Sequence, residues 1–348
     1  MEIIIADKNF ERMGVIDNAE IIWTTRYYKT GDFELYISSN DARLDLILNG
    51  FYVIRDDITN NNIGVIEDIT IKNTIEQGDM ITVTGRLAQG YFLGSRVVSQ
   101  QTQLNCSVLE GIKSLITANI IDPTDEKRRI DFILFGDFGY DLSDRLQIQT
   151  TGDNLLTKVE EICEEKKVGF TTMLIDNVIL FYLYKGENKA YDQSKNAYII
   201  FSDEYDNLQE SSYIRTTSAL KNFAYVAGEG EGLDRKIVTA YAGEEPTGQD
   251  RFEIWVDQRN ISSNNEEITE AELVSQMKEQ GLEEMVGISE AFDGNVILKG
   301  YTYREDFDLG DIVQLYRKQW GLGVAMRVVE CIESWNNTGK TTVLTFGN

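Results

Sequence analysis

The spacing of apolar and polar residues changes period along the chain, and those changes divide it. From Ile3 to Gly85 the apolar residues come in short alternating runs: Ile3 to Ala6, Glu20 to Tyr27, Phe33 to Ser38, Phe51 to Arg55, Ile63 to Lys72 and Met80 to Gly85. The breaks KTGD, TNNN and EQGD separate them, so the pattern predicts about six strands joined by tight turns. Gly31 in KTGD makes the first of these a hairpin. Asp41 to Leu48 predicts one or two helical turns, and Arg86 to Arg96 brackets another short apolar turn. A small barrel or a strongly bent sheet fits this first stretch.

From Cys106 the period lengthens. Ser107 and Glu110 form an S-x-x-E capping box, and Val108, Leu109, Ile112, Leu115 and Ile116 share one helical face. A second helix is predicted after Asp153, with Leu155, Leu156, Val159, Ile162 and Cys163 on its buried side. KRRIDFILF, RLQIQT, VGFTTMLI and VILFYLY predict strands, the last two turning at Asp176 and Asn177. The polar stretch Gly186 to Asn196 reads as a linker.

The stretch from Phe201 to Gly230 is the pivot. Ser211 to Thr217 and Asn222 to Gly228 flank a polar break and predict an antiparallel hairpin that founds a second β unit. Lys236 to Tyr241 and Arg251 to Val256 follow as strands. Thr269 with Glu272 caps a helix carrying Val274, Met277, Leu282 and Met285. Asn295 to Tyr301, Asp311 to Tyr316, Gly323 to Ile332 and Thr341 to Phe346 then predict four more strands. The fold class is α+β and β-rich. Its domains are a first β domain at 1–100, an α+β domain at 101–196, a second β domain at 197–231 and 292–348, and a helix-bearing insertion at 232–291.

Composition narrows the function. At 348 residues two or three domains are expected, and 42% hydrophobic with 10% aromatic content excludes wholesale disorder. The net charge of -25, from 58 acidic and 33 basic residues, disfavours binding to nucleic acid or an anionic membrane. Histidine is absent, which removes His-containing triads and most zinc sites. Cys106, Cys163 and Cys331 are far apart and odd in number, so they read as buried apolar residues in a reducing compartment. MEIIIADKNF lacks a basic n-region and a long apolar run, so the expectation is synthesis in the cytoplasm, with no membrane segment.

Each motif with chemical promise fails on its spacing. GEGEG at Gly228 to Gly232 does not meet G-x-G-x-x-G, and Glu229 and Glu231 repel a phosphate. Gly339-Lys340-Thr341 ends like a P-loop, but its first glycine position is Ser334, so it reads as a hairpin turn. Asp306, Asp308 and Asp311 around Gly310 break the EF-hand order and read as a solvated turn. Asp203, Asp206, Glu229 and Glu231 could supply a glycosidase pair, but chance pairs are expected among so many acids. Trp23, Tyr27, Tyr28, Tyr91, Trp255, Trp320 and Trp335 read as core, with any exposed ones as interface anchors. No catalytic, cofactor-binding or metal-ligating residue is assigned, and no cofactor is expected.

WTTRYYKTGDFELYIS, GVIEDITIKN, GRLAQGYFLGSRVV, the stretch FSDEYDNLQESSYIRTTSALKNFAYVAGEGEG, RFEIWVD and YREDFDLGDIVQLY stand in one order along nearly the whole chain. That ordered set resembles a family of siphophage and prophage tail proteins of Gram-positive hosts. The resemblance implies a tail-tip or baseplate hub, similar to the N-terminal structural part of tail-associated lysins. It also implies two related β-barrel domains with an α+β domain between them and an insertion in the second. Three chains would form a homotrimeric ring that adapts a hexameric tail ring to a threefold fibre or spike. The implied partners are a distal tail ring protein, a tape-measure protein and the fibre or spike, with DNA passing through the ring. Lysins of this class continue into a hydrolase domain, whereas this sequence stops at Phe346-Gly347-Asn348, so cell-wall degradation is not expected. The expectation is therefore a non-enzymatic virion component, against two competitors: a receptor- or carbohydrate-binding module, and a carboxylate-based glycosidase.

Overall fold

Glu20–Arg26 and Asp32–Ser38 pair antiparallel across the predicted KTGD turn, with Trp23 opposite Phe33. Their alternation sends Ile21, Trp23, Phe33, Leu35 and Ile37 into one core. In the computed structural model, which describes residues 2–17, 19–38, 44–74, 78–230, 232, 235–258 and 269–347, this hairpin lies at the centre of an eight-stranded sheet. The order runs Ile200–Ser202, Ile312–Arg317, Leu322–Asn336, Glu20–Arg26, Asp32–Ser38, Gly78–Arg86, Asp68–Thr74, and Gly339–Gly347 pairs with Leu322–Asn336. Each end of the chain thus brings four strands to one sheet, joined where Leu322–Asn336 meets Glu20–Arg26. Among the described residues the path ends at Ile200–Ser202 and Asp68–Thr74, and no pairing closes it into a barrel.

Chain contacts separate two units, one of Met1–Ser211 with Asp293–Asn348 and one of Ser212–Phe292. The first also holds the four-stranded sheet of Arg12–Ile16, Ile3–Ala6, Tyr52–Arg55 and Ile63–Val65. A three-stranded sheet of Ile133–Gly136, Val178–Tyr184 and Gly169–Ile175 packs with the helices Val108–Ile116 and Leu155–Lys166 around a large apolar core. Both helices form where their caps predict. Ser107 and Glu110 close the capping box, and Asn154 caps the second helix through Leu156 N and Thr157 N. All five apolar residues assigned to the second helix's inner face are buried.

In the second unit, Phe223–Ala227 lies between Ile237–Ala240, antiparallel to it, and Glu253–Asp257, parallel to it. The helix Glu270–Glu283 starts at the predicted Thr269 and Glu272 capping box and buries Met277 against Ala224, Val226, Val238 and Ala240.

Several expectations are corrected. The two runs read as the central hairpin do not pair with each other: Leu208–Thr216 pairs with Ser289–Val296, and Phe223–Ala227 forms the sheet of the second unit. The apolar pattern marked both strands but carried no information about partners lying further along the chain. Ile63 to Lys72 is two strands, Ile63–Val65 and Asp68–Thr74, in different sheets. The strand expected at Asn295 to Tyr301 sits earlier, at Ser289–Val296. Leu282 is exposed, outside the buried helix face. The stretch from Gly186 to Asn196 is no loose linker, because Lys189 N donates to Ile312 O at 2.7 Å and Ala190 is fully buried. In the expected short helix at Asp41 to Leu48, positions 41–43 lie outside the described residues; the helix is Leu44–Asn49.

One charged cluster ties the two ends of the chain together. The Glu333 carboxylate is wholly buried and accepts from Arg55 Nη1 at 2.9 Å, Arg304 Nη1 and Nη2 at 3.0 and 2.6 Å, and Lys340 Nζ at 2.7 Å. Arg55, equally buried, also clasps Asp57 through two bonds of 2.9 and 2.7 Å and stacks over Trp335 at 4.4 Å. Burial pushes the Glu333 carboxyl up, but bonds and charges from Arg304, Arg55 and Lys340 outweigh it and hold it at about 2.

Glu333→Gln keeps the shape and leaves Arg55 without half of its anionic partners, so urea unfolding should show a loss of about 3–5 kcal/mol. Because the folded carboxyl lies below the ordinary value of 4.5, its contribution is complete above about pH 4.5 and is lost as pH falls toward 2. The wild type should therefore lose on the order of 3 kcal/mol from this group across that window, and the variant should lack that component. Equal stability of the two proteins at pH 7 would refute this role.

Candidate functional site

Two glycines set the geometry of one concavity of the first unit. Gly310 has φ +94°, which a side chain rarely tolerates, and a Cβ there would lie 2.2 Å from the Tyr27 ring. A Cβ on Gly186 would meet Gly310 O at 2.0 Å. The backbones at these two points therefore touch, bringing the end of strand Val178–Tyr184 against the turn Asp308 to Asp311. Tyr27 fills the space beneath, its hydroxyl accepting from Gly186 N at 3.2 Å and donating to Lys167 O at 3.3 Å. Its burial pushes the phenol up to about 12.

Above this floor lies a cavity of about 550 Å³. Tyr182 and Tyr184, two apart on one strand, present the same face, and Tyr140 and Tyr303 complete an aromatic wall. Tyr182 donates to Asn60 Oδ1 at 2.7 Å. Asp311, nearly buried, accepts from Lys189 Nζ at 2.8 Å, Glu187 N at 2.6 Å and Asp308 N at 2.9 Å. Asp308 is exposed at the cavity's edge, and the protein packed around it raises its carboxyl.

The expected solvated turn at Asp306, Asp308 and Asp311 is thus corrected at Asp311, which is locked by an ion pair and two backbone donors. No neighbouring residue signals this, because Lys189 lies far along the chain. Gly339-Lys340-Thr341, read as a hairpin turn, opens the hairpin strand Gly339–Gly347, and the turn itself falls at Asn337 and Thr338. Two of the acids considered for glycoside hydrolysis are held in ion pairs. Asp203 pairs with Arg317 at 3.6 Å, and Asp206 with Lys299 at 3.1 Å. Glu229 belongs to the second unit, and Glu231 lies outside the described residues. Among the described residues no group of three or more acids and cysteines is placed to hold a metal ion.

Aromatic surfaces make the second candidate. In the first unit Tyr191, Tyr198, Tyr205 and Trp320 are 51, 45, 54 and 43% exposed, and Tyr191 meets Tyr198 edge-on at 5.6 Å. Lys318 N donates to Asp203 at 2.9 Å and Lys318 Nζ bonds Glu204, pinning the turn that carries Tyr205 to the one that carries Trp320. In the second unit Trp255 is exposed beside Tyr225, with Arg251 stacked 3.4 Å over Phe223. Trp23, Tyr27 and Tyr28 are core, as expected, and Trp255 and Trp320 are the exposed members of that set.

Comparison with known proteins follows from this geometry. The family model described as Siphovirus ReqiPepy6 Gp37-like protein matches residues 2–348. The fold is similar to the tail protein from Neisseria meningitidis MC58, at 14% identity and TM-score 0.56, covering 100% of this chain and 96% of that one. It is similar to prophage tail protein gp18 from Listeria monocytogenes EGD-e, at 16% identity and TM-score 0.58, covering 100% and 95%. The 43 kDa tail protein of prophage MuSo2 from Shewanella oneidensis is alike at 14% identity and TM-score 0.57, covering 100% and 98%. No curated protein matches the chain.

The locked turn yields a contrast. Asp311→Ala should lower stability by about 2–4 kcal/mol in chemical denaturation, because Lys189 and two backbone donors lose their acceptor. Asp306→Ala, on the exposed side of the same turn, should cost no more than about 1 kcal/mol. Equal midpoints for the two variants would show that the turn is solvated after all.

Proposed function

We propose that this chain, which belongs to the Siphovirus ReqiPepy6 Gp37-like protein family, is a structural protein of a phage, prophage or tail-derived particle and serves as its tail-tip or baseplate hub. The observation that carries this reading is full-length likeness to three tail proteins whose own chains are covered almost completely. In this reading three copies form a ring. Each protomer supplies two related β domains, from 1–100 and from 197–231 with 292–348, and the α+β domain 101–196 and insertion 232–291 stand beside them. Four strands from each end of the chain in one sheet support such a duplicated plan. Six similar units in a trimer match a hexameric tail ring above and a threefold fibre or spike below. The partners are the distal tail ring protein, the tape-measure protein and the fibre or spike, and DNA passes through the ring without sequence-specific contact. The role is non-enzymatic in this reading, and it is supported by the ion pairs that engage Asp203 and Asp206, two of the acids considered for catalysis.

Light scattering on the purified chain, alone and mixed with the distal ring protein, tests this. A mass of three times 39.6 kDa in either sample is expected, and a strict monomer in both refutes the ring. The exposed aromatics Tyr205 and Trp320 are the interface anchors of this reading. Replacing both by alanine should weaken association by about 2 kcal/mol or more, read as a shift in the concentration at which the trimer dissociates.

A further inference from the structure

We infer that the cavity of the first unit binds an organic ammonium ion, held by the Asp308 carboxylate within a cage of tyrosine rings. The cavity volume of about 550 Å³ falls within the range of small-ligand sites. Tyr184 meets Tyr140 at a centroid distance of 6.4 Å and 63°, and Tyr182 at 6.4 Å and 54°. Rings set at such angles form a concave corner, and Phe138 backs Tyr182 at 4.5 Å. Tyr140, Tyr182, Tyr184 and Tyr303 all lie close enough to Asp308 to feel its charge.

The charges decide the ligand's sign. Five carboxylates and three cations line the cavity, leaving two negative charges over. The cations are committed: Arg304 to Glu333, Lys189 to Asp311, and Lys185 to Asp144 at 3.0 Å. Among the acids Asp57 is held by Arg55, while Asp308 accepts from the Leu309 N–H at 2.7 Å and has Arg304 near enough for its charge to lower the carboxyl. Among the described residues no Lys or Arg forms an ion pair with Asp308. A divalent metal ion needs several oxygen ligands converging on one point, and no such group is present among the described residues. A carboxylate lining the same cavity as an aromatic wall suits a bulky, weakly hydrated cation instead. The same wall already holds a cation this way, with the Arg304 guanidinium 4.6 Å from the Tyr303 centroid.

This inference is independent of the tail reading. Calorimetric titration of the full chain with tetramethylammonium chloride and with butylammonium chloride, at matched ionic strength, tests it, with neopentyl alcohol as the neutral isostere. At least one cation should bind, and the alcohol should not. A preference for tetramethylammonium identifies a methylated amine as the ligand class, and a preference for butylammonium a primary amine such as a lysine side chain. Asp308→Asn should weaken binding about tenfold or more, and Tyr140→Ala, on the open rim, about threefold. The proposal is overturned if neither cation binds, if the alcohol binds equally well, or if binding survives both substitutions undiminished.

Discussion

A single buried carboxylate organises the first unit. Glu333 lies near the end of a fifteen-residue strand, Leu322–Asn336, and draws in Arg55 from 278 residues earlier, Arg304 from the preceding loop and Lys340 from the next strand. An unpaired charge in that position would cost several kcal/mol, so each partner must be in place before the others are stable. The cluster therefore makes the two ends of the chain mutually dependent. Backbone pairing says the same, since Leu322–Asn336 is hydrogen-bonded to Glu20–Arg26. Long-range closure of this kind costs loop entropy before its contacts reward it, which slows folding.

The cavity is a consequence of that closure. Arg304 is held by Glu333, which fixes the start of the loop that runs through Phe307 and Asp308 to Asp311. At its far end Asp311 is fixed by Lys189 and Glu187. A loop tied at both ends and pressed on Gly186 by Gly310 cannot collapse inward to fill the space beside the tyrosines. Open volume in a protein interior usually closes, because voids forfeit dispersion contacts. Here the ion pairs at the loop's two ends prevent it, and the tyrosine rings are rigid walls with few rotamers to rearrange.

Local signals in the sequence were legible, and distant ones were not. Both capping boxes, the buried face of Leu155–Lys166 and the turns at Gly31 and Asn177 depend on residues within one or two turns of each other. Strand pairing does not. Phe223–Ala227 looked like the second arm of a hairpin because its neighbour was also strand-like, yet its partners lie at Ile237–Ala240 and Glu253–Asp257. Arg12–Ile16 and Thr102–Ser107 went unread because polar residues interrupt their alternation. The site was less legible still. Asp308 was singled out for its acidic neighbours, but nothing near it in sequence signals Tyr140 or Tyr184, and Glu333 stands in the run CIESWNN with no mark of burial.

The excess of acid has a structural corollary. The two wholly buried charges of the cluster, Arg55 and Glu333, face each other at 2.9 Å and cancel, so they take nothing from the surplus behind a net charge of -25. Copies of such a chain repel one another over about 8 Å at physiological salt, and surface ion pairs contribute little to offset that. Any association of copies would then draw on apolar contact, which exposed aromatics such as Tyr205 and Trp320 can supply. Tyr205 and Trp320 stand on turns already pinned together by Lys318, Asp203 and Glu204. Their rings lose little further freedom on contact, which is the condition under which buried aromatic area converts most fully into binding. The contacts that engage Asp203 in the first unit thereby also hold the neighbouring aromatic surface in one arrangement.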